Sequence, residues 1–251
     1  MKTVTDTGIA FAREMVPELR APIALAVNAV LPLLFLALFG PLLTSTPGIG
    51  EGSPWQWFLP GILVLLALSG TAGAGANLLM EINSGSFERM LVTPMNRTAL
   101  LAGRTLKEVL TLAAQGVLLI LVLLPTSFEL FPLGALAGLV LLATFGVGLG
   151  ALSFTLAVLA RKQEQVFYLV QQACFLPLML LSGVLLPMSL APSWLYTVSR
   201  FNPVAHIVEA ERALFAGRFA EPAVLYGGVC ALAIAGLGLF FGARVMRDVR
   251  V

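Results

Sequence analysis

The sequence predicts an all-α polytopic membrane protein: six transmembrane helices, an amphipathic helix near the N-terminus, and a helical outer segment between spans five and six. Three observations carry this reading. Of the 251 residues, 59% are hydrophobic and 11% charged, less than half the roughly 25% that keeps a soluble domain's surface hydrated. Six apolar stretches lie near the ~20 residues that take a helix across the hydrocarbon core, where every backbone amide must be satisfied within the segment. Lysine and arginine alternate sharply in number between the segments that connect them.

The stretches are Ile23–Leu43, Trp57–Met80, Val109–Leu124, Leu133–Ala160, Val166–Pro187 and Ala223–Ala243, and none contains Asp, Glu, Lys or Arg. The fourth is long enough to tilt or break, with Gly146, Gly148 and Gly150 as the expected place. The first follows a segment containing Asp6, Glu14 and Glu18. It is too long for a signal h-region, so a retained span is expected rather than a cleaved signal peptide.

The N-terminal segment carries Lys2, Arg13 and Arg20, and the second loop Arg89, Arg97, Arg104 and Lys107. Arg161 and Lys162 lie in the fourth loop, and Arg244, Arg247 and Arg250 in the tail. Twelve of the fifteen basic residues thus share one side; Arg200, Arg212 and Arg218 lie on the other, all in the fifth loop. The positive-inside asymmetry puts both termini in the cytoplasm, with Pro47–Ser53 outside. The localisation that follows is the cell (inner) membrane.

Gly8–Arg20 reads as an amphipathic helix. At 100° per residue Ile9, Phe11, Ala12, Met15, Val16 and Leu19 fill one arc; Arg13, Glu14, Pro17, Glu18 and Arg20 fill the other. Such a helix lies in the headgroup plane with its apolar face down, either as a plain anchor or with a mechanical role. Pro17 is a candidate kink.

The second loop holds a helix start at Ser84–Gly85–Ser86, then Phe87, Met90 and Leu91 on one face, then a stop at Thr93–Pro94. This short helix shows an apolar face to the cytoplasm that must be covered, either by the ends of its own spans or by a partner.

The fifth loop, Met188–Pro222, is outward-facing yet apolar. "SWLYTVSRF" and "PVAHIVEAERALFAG" read as two short helices parted by Asn202–Pro203. Trp194 and Tyr196 suit the interfacial belt, and the segment either dips into the bilayer or lies flat as a lid. Glu209, Glu211 and Arg212 are expected to point to water or pair locally, and His206, the sole histidine, to be satisfied locally rather than to ligate. The small-residue pairs Gly134/Gly138, Gly146/Gly150 and Gly238/Gly242 suit close helix packing within one bundle.

The polar groups inside the spans are neutral amides, Asn28, Asn77, Gln115, Gln171 and Gln172; Glu81 and Glu108 sit at cytoplasmic ends. Each amide either lines a path or glues helices together. Ion-coupled transport normally needs ionisable groups within the membrane. There is no G-x-x-x-x-G-K-[ST] phosphate loop: the Gly70–Asn77 run "GTAGAGAN" lacks the lysine and lies in a span. No Ser/His/Asp, Cys/His or His-x-x-x-His arrangement offers a hydrolase. Cys174 and Cys230 lie in apolar segments without a partner for a disulfide or metal. Nothing points to nucleic acid. If the chain moves something, the energy comes from elsewhere.

Three stretches carry a family likeness. "WQWFLPGILVLLALSG" (55–70), "SGSFERMLVTPMNRTALLAGR" (84–104) and "LMLLSGVLLPMSLAPSWLYTVSRFNPVAHIVEAERALFAG" (178–217) resemble, in order and spacing, the permease subunits of ABC type-2 exporters. These are the membrane partners of drug-resistance ATPases of the daunorubicin-efflux kind. The likeness covers nearly the whole chain and implies a single transmembrane domain over residues 1–251. It implies that residues 84–94 form a coupling helix, with Phe87, Glu88, Arg89, Met90, Leu91, Val92, Thr93 and Pro94 docking in a separate ATP-hydrolysing subunit. It further implies that residues 8–20 are the interfacial connecting helix and residues 188–219 the outer re-entrant hairpin. Two permeases, alike or different, would pair around a substrate path in the lipid bilayer. The chain itself would hold no cofactor, ATP and Mg²⁺ belonging to the partner. One departure stands out: relatives often carry an acidic run before the coupling glycine, where this chain has Ile82, Asn83 and Ser84, with Glu81 the lone acid there.

The expectation is therefore a permease half of an ATP-driven exporter, not itself an enzyme. Its neutral apolar walls suit an amphipathic drug, a lipid or a lipid-linked substrate. The competing readings are a secondary transporter or channel, and a non-transporting membrane scaffold or intramembrane enzyme.

Overall fold

A computed structural model describes residues 2–20, 22–43, 53–92, 97–185 and 187–248. Among these the chain is all-helical. In order come α1 (Lys2–Leu19), α2 (Pro22–Leu43), α3 (Pro54–Asn83), α4 (Ser86–Leu91), α5 (Arg97–Leu123), α6 (Pro132–Leu159) and α7 (Glu164–Leu180). A single 3₁₀ turn at Met188–Leu190 then leads to α8 (Ser193–Ser199), α9 (Pro203–Phe215) and α10 (Pro222–Asp248).

Four helices, α3, α5, α6 and α10, are long and apolar enough to cross a membrane. Leu225, Val229, Leu232 and Phe240 of α10 and Leu133, Leu136 and Val140 of α6 are exposed. An apolar surface of that extent is stable only against lipid or another protein. The 22-residue α2 and the 17-residue α7 fall on the other two apolar stretches. α7 stops short of the expected Pro187. Gly183 takes a positive φ of 73° that most side chains resist, and the chain turns there.

α3 is the hub. Phe58, Leu59 and every residue from Gly61 to Leu68 are buried, as suits a helix that is apolar all round. They share a core with Leu119 of α5, Leu142 and Phe145 of α6, and Ile207, Val208 and Phe215 of α9.

α6 runs unbroken for 28 residues, so its glycines are not a break. Gly148 instead lets α10 in: a Cβ on Gly238 would strike the carbonyl oxygen of Gly148, and one on Gly148 would come 2.6 Å from the backbone of Ile234 and Ala235. The expected within-bundle packing holds, but the pair in contact is Gly148 with Gly238.

α5 begins twelve residues before the apolar stretch expected at Val109, so Arg104, Lys107 and Glu108 belong to a long helix rather than a loop. The reason lies in α1. Asp6, Ala10, Glu14 and Glu18 recur every fourth residue, and this face packs on α5. Arg104 pairs with Glu14 at 3.1 Å and also with Glu81 of α3. Lys107 pairs with Glu18 at 2.7 Å and Glu108 at 3.0 Å. Gly103 lets the backbones approach, since a Cβ there would lie 2.6 Å from that of Ala10. Of the polar arc of α1, Glu14 and Glu18 are thus docked on the bundle while Arg13, Pro17 and Arg20 stay exposed, as do Val4, Ile9, Val16 and Leu19.

Candidate functional site

The segment Ser69–Ala76 of α3 carries only Ser, Gly, Thr and Ala. Side-chain volume is missing there, and the space appears as a cavity of about 500 Å³ between α3 and α5. Its α5 wall is one helical face, Lys107, Glu108, Thr111, Leu112 and Gln115, and Glu18 of α1 closes one end. Ser69 and Thr71 donate their hydroxyls to their own helix, to Leu65 O at 2.9 Å and Ala67 O at 2.7 Å. The polar groups left to a guest are therefore the amides of Asn77 and Gln115 and the ionic cluster of Glu18, Lys107 and Glu108, where Thr111 also donates to Glu18 at 3.2 Å.

The five expected amides are thus divided. Asn77 and Gln115 meet in this cavity. Gln171 borders a second, apolar groove of about 290 Å³ between α3, α6 and α7, and its side-chain oxygen is buried without a partner. Thr71 borders both spaces, so α3 is the wall between them. Gln172 faces outward on α7. Asn28 falls in α2, its side chain outside what is described. The expectation of neutral walls needs correction at one end: Lys107, Glu108 and Glu18 line the cavity. The repeat of charges on α1 and the matching spacing on α5 are the signals that could have revealed this.

At the C-terminal end of α3 the chain reverses through Gly85, with φ of 67°, a left-handed helix stop that glycine takes freely. α4 therefore folds straight back. Phe87 is 3% exposed and joins a cluster with Leu79, Leu100, Phe154 and Phe167; Met90 packs against the same cluster. Of the two expected covers for this apolar face, the ends of its own helices take Phe87. What remains outward is Arg89 and Val92. The side chains of Glu88 and Leu91, and all of Thr93 and Pro94, lie outside the described residues.

The segment between α7 and α10 contains both expected helices. Asn202 caps α9 by accepting from the Val204 amide at 2.9 Å, and its own amide donates to Leu178 O at 2.8 Å. Against expectation, α9 is mostly interior. Glu209 is exposed but Glu211 is fully buried. Arg212 donates to Trp57 O at 3.2 Å and Gly183 O at 2.7 Å. Its guanidinium lies 3.7 Å from the centre of the Trp57 ring, a cation–π contact that ties α9 to α3. His206 is satisfied locally, with Nε2 2.9 Å from Arg200 O.

With this geometry in hand, comparison with known proteins is direct. The family model described as ABC-2 type transporter matches residues 5–216. The chain is similar to the daunorubicin resistance ABC transporter permease protein DrrB1 of Streptomyces coeruleorubidus, 27% identical over 207 residues, covering 82% of this chain and 73% of that one. It is also similar to the putative transport permeases ycf38 of Cyanophora paradoxa, 29% identical over 201 residues (78% of this chain, 69% of the relative), and of Porphyra purpurea, 26% identical over 229 residues (84% and 78%).

Proposed function

The chain belongs to the ABC-2 type transporter family, and from that premise we propose that this multi-pass permease subunit serves an exporter driven by ATP hydrolysed on a separate subunit. The observation that carries the substrate side is the cavity between α3 and α5, lined by an ionic cluster and two amides. It suits an amphipathic drug, lipid or lipid-linked molecule, whose polar head takes the ionic cluster while weakly polar groups meet Asn77 and Gln115. The daunorubicin resistance relative supports a drug.

In this reading α2 and α7 complete six spans with α3, α5, α6 and α10. α1 is the interfacial helix, and α8 and α9 form the outer hairpin. Both termini lie in the cytoplasm of the cell (inner) membrane, and two permeases pair as a homodimer or heterodimer. ATP and Mg²⁺ belong to the ATP-binding subunit, which engages the 87–94 segment through its outward side, Arg89 and Val92 first.

Two experiments test this. Membrane-impermeant thiol reagent added from outside is expected to modify Ser53→Cys and spare Ser84→Cys; the opposite pattern overturns the orientation. In proteoliposomes with the ATP-binding subunit, Asn77→Ala and Gln115→Ala are each expected to change the apparent affinity for stimulating substrates by roughly two- to tenfold, the worth of one hydrogen bond of about 0.5–1.5 kcal/mol. Thermal stability should hold. A loss of stability with an unchanged substrate profile would make the amides structural and remove the cavity from the path.

A further inference from the structure

Glu211 lies within α9, fully buried, and among the described residues neither carboxyl oxygen has a hydrogen-bond partner. The carboxyl rests against α6, where a Cβ on Gly138 would come 2.5 Å from Oε2. α9 packs against α3, α6 and α10, and none of them turns a cation toward it. α6 has no charged residue, α3 none before Glu81, and α10 none before Arg244.

The nearby charges on the hairpin are otherwise engaged. Arg212 is held by Trp57 and Gly183, His206 by Arg200 O, and Arg218 by Glu221 at 2.7 Å. Glu209, and Glu129 in the loop before α6, are exposed. An ionised carboxylate in such a place would lose its hydration with nothing in exchange. Burial pushes the Glu211 carboxyl well above the usual carboxylate range, which keeps it neutral.

We propose that Glu211 is a proton-binding site that controls the seating of the outer hairpin: α9 packs on α6 and α10 with the carboxyl protonated, and unseats as that proton leaves to the outer water. The proposal rests on the reading of α8 and α9 as the outward hairpin of an exporter. Its sign follows from linkage. The unseated acid ionises in the ordinary range, near pH 4.3, and the seated one only at higher pH. Seating is therefore fully favoured below the ordinary range and is lost as pH rises toward the raised value. Within that window the ratio of unseated to seated hairpin grows by up to about tenfold per pH unit. An acidic exterior holds the hairpin shut.

The test is hydrogen exchange of the α9 amides 204–215 in the full-length permease, reconstituted with its ATP-binding subunit, between about pH 5 and pH 8, corrected for intrinsic exchange rates. Wild-type protection is expected to fall by up to about tenfold per unit. Glu211→Gln should be flat. So should Glu211→Met, which fills the same length without a donor if the amide is poorly tolerated. Glu211→Asp should keep a slope. No slope in the wild type, or a wild-type slope in either neutral variant, overturns the proposal. Failure of the exporter reading would look different: no substrate-stimulated turnover, with the exchange slope intact.

Discussion

Phe87→Asp is expected to lower the melting temperature of the purified permease and, in the same sample, to abolish co-purification with the ATP-binding subunit. The side chain is 3% exposed in a cluster that joins α3, α4, α5, α6 and α7. Truncating a buried phenylalanine costs about 3–5 kcal/mol, and a carboxylate placed among Leu79, Leu100 and Phe154 adds desolvation without a partner. The residue sits behind the proposed coupling surface at Arg89 and Val92 rather than on it. Variants of the outward side should separate the two effects: Arg89→Glu and Val92→Asp are expected to weaken co-purification while leaving the melt within about 0.5 kcal/mol of wild type. A Phe87→Asp protein that melts like the wild type and loses only its ATPase would mean that Phe87 faces the partner.

Arg104→Ala is expected to release α1 from the bundle. Arg104 is 3% exposed and holds Glu14 and Glu81, themselves 20% and 25% exposed. Breaking a fully buried pair costs about 3–5 kcal/mol, because the stranded charges remain. The partial exposure of the two acids reduces this to about 2–3 kcal/mol, a roughly 30- to 150-fold rise in local opening. Hydrogen exchange over residues 2–19 reads that change directly. Arg104→Lys should recover part of the protection, since an ammonium can pair with both acids, as Lys107 does with Glu18 and Glu108, but on a shorter side chain with fewer donors. Protection that survives Arg104→Ala would mean that the Lys107–Glu18 pair and the Ala10–Gly103 contact suffice to hold α1.

These two residues show how far the sequence could be read. The apolar stretches mapped onto helices because a bilayer-length apolar run has few alternatives. The two hairpin helices were legible because Asn202 and Pro203 make a start signal that acts locally. Arg104 and Phe87 were placed correctly in the chain but not in space. A helical wheel sorts Glu14 and Glu18 onto one arc of α1, yet it does not say whether that arc meets water or a basic face some ninety residues away, at Arg104 and Lys107.

By itself, then, the sequence determined the helical membrane class, the order of the elements, the helix start at Ser84–Gly85–Ser86 and the family, all of which rest on local pattern or motif. The tertiary structure decided the rest. It turned Glu14 and Glu18 of α1 onto α5, drew Phe87 inward, put Asn77 and Gln115 on one cavity while sending Gln171 and Gln172 elsewhere, and made α6's glycines a seat for neighbouring helices rather than a break. It also buried Glu211, expected to point to water or pair locally, without a partner among the described residues. The physical reason is common to all of these. Periodicity fixes which residues share a face, whereas the energy of a face depends on what the rest of the chain brings against it, and for a buried acid or a glycine contact that opposing surface lies on another helix.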